Sequence, residues 1–418
     1  MTKSTDKKPQ HAAGIRIHRR DFVAGAGAAA VAFSVVSPQA VRGSAANSKI
    51  RFGMIGCGGR GAWITDLFLK HGGYELAGVA DYFQDRVDNV GNRFDLAADK
   101  RFTGLMCHER LIEQDLDAIV IQSPPLFHPE QAAAAVDAGK HVFVAKPVAV
   151  DVPGSMSIEA SGLKATEKNL CFLVDYQTRA DEYYIEAIKR VHEGALGEFA
   201  FGESTYHAGI PWAGQIAMAK EAPEHPETKL RAWGLFRVTS GDIITEQNIH
   251  TLDVMSWIMN QPPVCAYGTG GRKVRQFGDC WDTFSVTFTY PNNVGIAFSS
   301  RQFDGYGSQP EGIRNRMFGS LGVLETAYGG DTLIRGKNFY RGGSTPTIYR
   351  QGAVNNIATF HDDIQHGRFQ NPTVAESVRS NLVTILGRTA AYRGEVVYWQ
   401  DLLKCDERYE LDIEGLKT

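Results

Sequence analysis

Lys146 and His250 are the two side chains of this sequence best suited to proton transfer at a carbon–oxygen bond. Converting a hydroxyl to a carbonyl needs a base for the proton and a cation or donor that steadies the developing alkoxide. A lysine and a histidine can divide these tasks in either order. A helix predicted over residues 240–259 would place Glu246, His250 and Asp253 on one face, where either carboxylate could orient the imidazole.

The pattern around His250 also has simpler interpretations. A helical histidine four residues after a glutamate is more often a surface pair or a core contact than a catalytic group. Metal catalysis is the weaker functional hypothesis, because the His250 and Asp253 pair lacks a third ligand at a recognisable spacing. We therefore predict no metal site.

A glycine-rich loop follows the first predicted strand, and a helix predicted over residues 62–71 follows the loop. With 44 glycines among 418 residues, the glycine pattern alone is weak evidence. Its position between a strand and a helix is typical of a dinucleotide-binding fold, in which Gly56 makes the tight turn, Gly58 admits the pyrophosphate and Gly61 allows close packing. The loop residues expected to bind the cofactor are Gly56, Gly58, Gly59, Arg60 and Gly61.

Asp81 ends the next predicted strand, twenty positions beyond Gly61. A carboxylate there would accept the ribose hydroxyls of the adenosine half and repel a 2′-phosphate, so we predict NAD as the cofactor rather than NADP. The alternative is a plain strand–helix turn with a helix-capping aspartate.

Further strands and helices alternate up to about residue 175. The apolar run 117–122 is typical of a buried parallel strand, and a helix (130–138) and another strand (141–144) follow it. Such alternation predicts one parallel sheet with right-handed crossovers. Because ligands bind at the carboxyl ends of such strands, Ser123, Pro124, His128 and Lys146 are expected near the cofactor.

The second half of the chain is predicted to form a different sheet. Strands are expected at 198–207, 282–290, 294–302, 314–318 and 322–326, with a hairpin at Pro291-Asn292-Asn293 and a final helix over 374–392. The stretch 208–233 has weak periodicity and is expected to border the active site.

Composition excludes several classes of protein. With 43% hydrophobic residues the chain is globular, and 44 Lys and Arg against 47 Asp and Glu leave no basic excess for nucleic acid. The six cysteines form no CxxC pair, so neither a zinc cluster nor a disulfide framework is expected.

Residues 1–47 resemble a twin-arginine signal peptide. Arg19 and Arg20 precede a mildly apolar stretch that ends near Val36, and small residues follow around Ala40 and Ala45. The apolar stretch is short for a bilayer span, which needs about twenty residues; a short anchor or an ordinary helix is the alternative. We therefore expect an exported, periplasmic protein without a membrane span, whose cofactor is inserted before export.

Four motifs together resemble the Gfo/Idh/MocA oxidoreductases, the glucose-fructose oxidoreductase and inositol dehydrogenase family. The resemblance runs from Lys49 to about Tyr392, and its motifs are GCGGRG with Asp81, SPPLFH, AKP and EQNIH. It implies an α/β protein with a Rossmann domain (48–178) and a C-terminal α/β domain (179–418). The large, open, mostly antiparallel sheet of the second domain would carry the sugar site and a homo-oligomer interface, dimeric or tetrameric.

Two positions depart from the family pattern. The usual EKP has Ala145 in place of glutamate, and the usual DxxxH has Glu246 in place of aspartate. The resemblance implies that His250 is the general base and that Lys146 binds and polarises the reacting oxygen. The reverse assignment stays open, because the missing glutamate could alter the pKa of Lys146.

The resemblance also suggests which residues bind the ligands. Gln177 is expected at the cofactor, and the candidates for substrate binding are Lys146, Arg179, Tyr206, His207, Trp212, Glu246 and His250. The predicted function is an oxidoreductase for a sugar, glycoside or cyclitol with tightly bound NAD. The alternatives are an NAD-dependent glycoside hydrolase, which works by transient oxidation and elimination, and a non-catalytic sugar-binding protein.

Overall fold

Strands and helices alternate through residues 50–175, and the computed structural model, which describes residues 49–223 and 225–417, assembles them into a six-stranded parallel sheet. The strand order is β3-β2-β1-β4-β5-β6. The elements of this first layer are β1 (Ile50–Ile55), α1 (Gly59–His71), β2 (Tyr74–Asp81), α2 (Gln84–Arg93), β3 (Arg101–Thr103), α3 (Cys107–Ile112), β4 (Ala118–Ile121), α4 (His128–Asp137), β5 (His141–Ala145), α5 (Val152–Glu167) and β6 (Phe172–Asp175). The strand order changes direction between β1 and β4, with β2 and β3 on one side of this point and β5 and β6 on the other. A crevice therefore opens at the carboxyl ends of β1 and β4.

The second layer is a nine-stranded sheet in the order β14-β13-β12-β11-β7-β10-β9-β8-β15. Its elements are α6 (Glu182–His192), β7 (Phe199–Ala208), α7 (Ala213–Glu221), α8 (Thr228–Arg231), α9 (Arg237–Ser240), α10 (Ile243–Glu246), α11 (Ile249–Met259), β8 (Cys265–Gly271), β9 (Thr283–Tyr290), β10 (Val294–Gln302), β11 (Gly312–Gly319), β12 (Gly322–Ala327), β13 (Asp331–Gly336), β14 (Tyr340–Ser344), α12 (Ile348–His366), α13 (Thr373–Arg393), β15 (Val397–Tyr398) and α14 (Trp399–Leu402). β7 and β10 run parallel, and the other paired neighbours are antiparallel. The predicted fold class is confirmed.

The nine-stranded sheet has one covered and one open face. In β9, Phe284, Val286 and Phe288 are buried, whereas Ser285 and Thr287 between them are exposed. This alternation is what a strand with one solvated face requires. The helices α11 and α13 pack on the covered side.

The chain returns to the first layer after the second sheet is complete. Helix α12 lies against α1, and the Tyr74 hydroxyl donates a hydrogen bond of 2.8 Å to the Ile357 carbonyl. The described residues therefore form one compact unit, and the domain boundary at residue 178 stays a prediction.

The helix predicted over residues 240–259 is broken. Gly241 ends α9 with a left-handed φ of +78°, and the side chain of Asp242 caps α10 by accepting from the Ile243 N–H. Two residues separate α10 from α11. Glu246 thus ends one helix and His250 begins the next, so they do not share one helical face as expected.

Three other predictions can be compared with the described residues. The stretch 208–233 is more regular than predicted, since it contains α7 and α8. The predicted final helix is α13, but β15 and α14 follow it. The signal sequence predicted over residues 1–47 lies outside the described residues, among which no helix is long and apolar enough to cross a bilayer.

Candidate active site

The glycine-rich loop leaves no room for side chains at its two ends. Gly56 has a φ of +92°, and a Cβ there would lie 2.5 Å from the backbone of Gln122 and Ser123. A Cβ on Gly61 would lie 1.8 Å from the Gly56 carbonyl oxygen. The turn and its contact with α1 therefore require glycine at both positions.

The middle of the loop is open. Helix α1 begins at Gly59 without a side-chain cap, and a Cβ on Gly59 would meet no atom within 4 Å. An uncapped helix N-terminus beside an open loop is the arrangement that binds a pyrophosphate. The loop therefore fits the phosphates of a dinucleotide.

Asp81 lies at the carboxyl end of β2, beside this loop. Its carboxylate accepts hydrogen bonds from the N–H groups of Cys57 (2.7 Å) and Phe83 (3.0 Å), so it also holds the loop in place. Burial raises the pKa of Asp81, and the nearby Arg86 opposes this shift. Asp81, Arg86, Ser123 and Pro124 line a small cavity of about 60 Å³ at this end of the crevice.

A larger cavity of about 330 Å³ lies farther along the crevice, between the two layers. Lys146 enters it from the end of β5, His250 from the first turn of α11 and Tyr206 from β7. Its other polar and aromatic lining residues include Arg60, Gln122, Ser123, His128, Trp212, Trp233, Glu246, Gln247, Tyr328 and Tyr349. The structure thus brings Lys146 and His250, 104 positions apart in the sequence, to one cavity.

Lys146 is held by Glu246. Its ammonium group donates to the Glu246 carboxylate (3.1 Å) and to the Glu246 carbonyl oxygen (2.6 Å). Burial lowers the pKa of Lys146, and the adjacent carboxylate opposes that shift. Since an ammonium group has three N–H donors, one is left for a substrate oxygen. Glu246, from the second layer, therefore supplies a carboxylate beside Lys146 where Ala145 has none.

His250 lies in the same cavity as a neutral base. Burial, with the nearby cations Lys146 and Arg60, holds its pKa well below the usual value. Its Nδ1 atom is buried and has no hydrogen-bond partner among the described residues. A neutral imidazole can take a proton from a bound hydroxyl group.

The expected orienting carboxylates do not contact His250. Glu246 is bound to Lys146, and Asp253 accepts three hydrogen bonds of 2.9–3.0 Å from Arg179. The ring that neighbours His250 is that of Tyr328, with centroids 5.5 Å apart. The prediction that a carboxylate fixes the imidazole is wrong for this structure.

Arg179 does not reach the cavity either. Its guanidinium group is buried, pairs with both Asp253 and Glu376, and lies 4.9 Å from the Trp257 ring centre. These two ion pairs link the segment after β6, which carries Arg179, to α11 and α13. Its contacts in the structure are therefore with the scaffold, and Arg179 does not line the cavity where a substrate contact was expected.

His207 and Gln177 also lie away from the cavity. Side chains alternate along β7, so Tyr206 faces the cavity and His207 faces the open side of the sheet. There His207 contacts the Pro310 carbonyl (2.8 Å) and the Ser299 hydroxyl (3.1 Å). Gln177 is buried behind Asp175, so it does not line the cofactor crevice as expected.

His128 joins two loops of the crevice. Its ring nitrogens lie 2.8 Å from the carbonyl oxygens of Pro147 and Ser123. These contacts tie the loop after β4 to the loop after β5, which carries Lys146. His128 lines the cavity, but both polar atoms are engaged with the protein.

Arg60 makes more contacts at the larger cavity than the glycine motif indicates. Its guanidinium group pairs with the buried Asp175, and it donates to Gln122 (3.1 Å) and to the Tyr349 hydroxyl (3.0 Å). Sequence reasoning missed these partners. Asp175 could have been found, because it ends a parallel strand, whereas Tyr349 arrives from α12 without a local signal.

Two tryptophans form an aromatic wall of the cavity. Trp212 has a left-handed φ of +57°, an uncommon conformation for a large side chain, and its ring lies against Gly234, where a Cβ would be 2.9 Å away. The Trp233 ring centre is 6.0 Å from that of Trp212. Both tryptophans come from the segment predicted to border the active site, and both line this cavity.

Two family models match the chain. Residues 50–175 match the model described as "Oxidoreductase family, NAD-binding Rossmann fold", and residues 184–325 match the "GFO/IDH/MocA C-terminal domain". These matches cover both layers of the cavity.

Relatives were also found among curated proteins. The chain is 28% identical over 221 residues to an alpha-N-acetylgalactosaminidase of Shewanella oneidensis and 29% identical over 222 residues to a glycosyl hydrolase family 109 protein of Shewanella baltica. Each match covers 47% of this chain and 47% of the relative. The chain thus spans about half the length of the curated relatives it matches.

The fold is shared with solved dehydrogenases. Myo-inositol 2-dehydrogenase from Lactobacillus plantarum superimposes with a TM-score of 0.66 at 20% identity, over 84% of this chain and 99% of that one. Scyllo-inositol dehydrogenase from Lactobacillus casei, with bound NAD(H) and scyllo-inositol, gives 0.65 at 19% identity, over 84% and 100%. Aldose-aldose oxidoreductase from Caulobacter crescentus gives 0.65 at 19% identity, over 84% and 99%.

The glycine loop and the strand order are those of a Rossmann domain, which is also what the first family model describes. The chain therefore belongs to the Gfo/Idh/MocA oxidoreductase family, and its first layer is an NAD-binding Rossmann domain.

Proposed function

We propose that the protein is an NAD-dependent enzyme that oxidises or reduces a hydroxyl or carbonyl group of a sugar, glycoside or cyclitol. The observation that carries this proposal is the presence of Lys146 and His250 in one cavity, next to the glycine loop. The names of the inositol and aldose enzymes that share the fold support the substrate class.

The charges of the cavity favour an uncharged substrate. Arg60 is paired with Asp175, Lys146 is paired with Glu246, and His250 is neutral. No cation among the described lining residues is left without a carboxylate for a phosphate or a uronate. The aromatic wall of Trp212 and Trp233 suits the apolar face of a sugar ring.

The proposed chemistry divides the work between two side chains. When bound, NAD supplies the hydride acceptor for the carbon being oxidised. His250 takes the hydroxyl proton as the carbonyl forms, and Lys146 donates a hydrogen bond to the same oxygen. Glu246 holds the ammonium group in place and opposes the lowering of the Lys146 pKa by burial. In the reverse direction, His250 returns the proton.

Glycoside hydrolysis is the second candidate function, supported by the names of the Shewanella relatives. In this route C3 is oxidised to a ketone, which acidifies the C2 proton; a base removes that proton and the aglycone leaves. Water then adds to the double bond and the ketone is reduced again, so the net reaction is hydrolysis. It needs more proton-transfer groups, and Tyr206 and Tyr328 line the cavity with phenols whose pKa values burial raises.

One experiment tests the proposal and separates the two functions. We expect NAD to be released when the purified protein is denatured. We also expect a neutral sugar, cyclitol or glycoside from a substrate panel to reduce the bound cofactor in a single turnover, seen as nicotinamide absorbance. Release of an aglycone without net reduction would favour the hydrolase. A protein that carries NAD but shows neither reaction with any member of the panel would contradict the proposed function.

A second prediction concerns the choice between NAD and NADP. Replacing Asp81 by alanine removes the charge that would repel a 2′-phosphate and leaves Arg86 in the same cavity. We expect the preference for NAD to narrow by roughly tenfold or more. Asp81→Asn is the matched variant, because it keeps an acceptor for one of the two N–H groups. Titration with each cofactor measures the change. An unchanged ratio of the dissociation constants for NAD and NADP would show that Asp81 does not select the cofactor.

Two further proposals concern the protein's setting. We propose export through the twin-arginine pathway, which the Arg19-Arg20 motif supports. We also propose a homo-oligomer formed through the open face of the nine-stranded sheet. This face carries a broad groove of about 990 Å³ and a half-exposed Phe201 stacked on Phe318, with ring centres 4.4 Å apart.

A further inference from the structure

The segment after α14 crosses back over the first layer, and we call residues 405–417 the clasp. Its first anchor is Tyr409. The Tyr409 N–H donates to the Asp151 carboxylate (2.8 Å), and the guanidinium groups of Arg388 and Arg237 lie 4.9 and 5.7 Å from the centre of its ring. This anchor joins the clasp to the N-terminus of α5, which Asp151 also caps.

The second anchor is Lys417, and it joins three separate segments. The Lys417 N–H donates to the Tyr82 hydroxyl (2.9 Å), and the Lys417 carbonyl accepts from the Leu105 N–H (3.1 Å). Tyr82 in turn donates to the Glu227 carboxylate (3.0 Å). The loop after β2, the loop after β3 and the segment before α8 are therefore tied together through the clasp.

The loops after β2 and β3, together with α8, form walls of the cavity at the Asp81 end of the crevice. Tyr82, Leu105 and Leu230 line that cavity together with Asp81. In a Rossmann domain the aspartate at this strand end marks the position of the adenosine ribose. An adenosine group bound there would contact the loops that carry Tyr82 and Leu105, and these are the loops that Lys417 holds.

We propose that the clasp retains the adenosine half of NAD, with Tyr82 as the positioning residue that couples the clasp to the cavity wall. The hydrogen bonds of Lys417 and Tyr82 hold these loops against the adenosine half, so movement of the loops away from the cofactor costs these bonds and the clasp slows release. This proposal rests on NAD binding alone and does not depend on which substrate the enzyme uses.

The test measures how fast NADH leaves the intact protein. NADH-loaded protein is mixed with excess NAD, and the loss of bound-NADH fluorescence gives the dissociation rate. Tyr82→Phe removes both hydrogen bonds of the hydroxyl and keeps the ring. We expect its dissociation rate to be roughly five- to thirtyfold higher, the effect of losing one or two net hydrogen bonds. The matched control is Tyr398→Phe, at an exposed tyrosine on β15, which we expect to stay within about twofold of wild type.

Two more variants separate retention from general stability. Glu227→Gln keeps an acceptor for the Tyr82 hydroxyl and is expected to restore slow release relative to Glu227→Ala. A chain that ends at Glu410 keeps the Tyr409 anchor and loses Lys417; we expect release at least as fast as in Tyr82→Phe. Equal dissociation rates in wild type and Tyr82→Phe, with melting temperatures unchanged, would overturn the proposal. If the wild type releases NADH slowly but turns over no sugar, the clasp proposal is supported and only the proposed function is contradicted.

Discussion

His250→Ala and Lys146→Ala are each expected to lower kcat by about two to four orders of magnitude, the usual loss when a general base or a preorganised donor is removed. Both side chains line the same cavity, and in the proposed chemistry each acts mainly on the transition state. Turnover should therefore fall far more than substrate affinity. Single-turnover reduction of bound NAD measures kcat, and a substrate titration of the same signal measures affinity.

The controls for this pair come from the same chain. His207→Ala changes a histidine on the opposite face of the sheet, and Lys140→Ala changes a lysine whose ammonium group contacts the Leu116 carbonyl. Both should keep kcat within about twofold of wild type. Because Lys146 and His250 serve one proton transfer, the double variant should lose much less than the product of the two single losses. Full activity in either single variant would assign that residue a structural role.

Gly61→Ala is expected to abolish NAD binding and to lower the free energy of unfolding by about 1–3 kcal/mol or more, the usual cost of overpacking. The added Cβ would lie 1.8 Å from the Gly56 carbonyl oxygen. Gly56 is held in place by the hydrogen bond of 2.8 Å from its N–H to the Ala80 carbonyl. The loop would have to open and would lose the N–H geometry that binds the pyrophosphate.

Gly59→Ala is the matched control, two residues earlier in the same loop. A Cβ there meets no atom within 4 Å, and alanine is favoured over glycine in a helix by up to about 1 kcal/mol. Urea unfolding should therefore show unchanged or slightly higher stability. If Gly61→Ala unfolded at the same urea concentration as Gly59→Ala and bound NAD as tightly as the wild type, the steric argument would be wrong.

Features determined by local sequence were predictable. The order of glycines, the position of Asp81 and the apolar runs of the parallel strands depend on neighbours within about twenty residues. Together they predicted the Rossmann layer and its NAD site. Lys146 was placed correctly at a strand end for the same reason, since parallel strands present their carboxyl ends at one edge.

The alternation of side chains along β7 predicted only part of the arrangement of Tyr206 and His207. It required Tyr206 and His207 to point to opposite faces of β7, yet it could not say which face would be covered. That choice was made by the packing of α11 and α13 on one side of the sheet. The same packing buried Arg179 against Asp253, because a buried charge needs a partner.

The tertiary structure alone decided how the reacting groups are arranged. Glu246 and Lys146 are 100 residues apart in sequence, and their ion pair forms only where the two layers meet. Helix periodicity predicted that Glu246 would serve His250, but the break between α10 and α11 turned it toward Lys146. Long-range pairs of this kind leave no periodic pattern in the sequence, because burial and charge pairing between layers, rather than local backbone geometry, determine them.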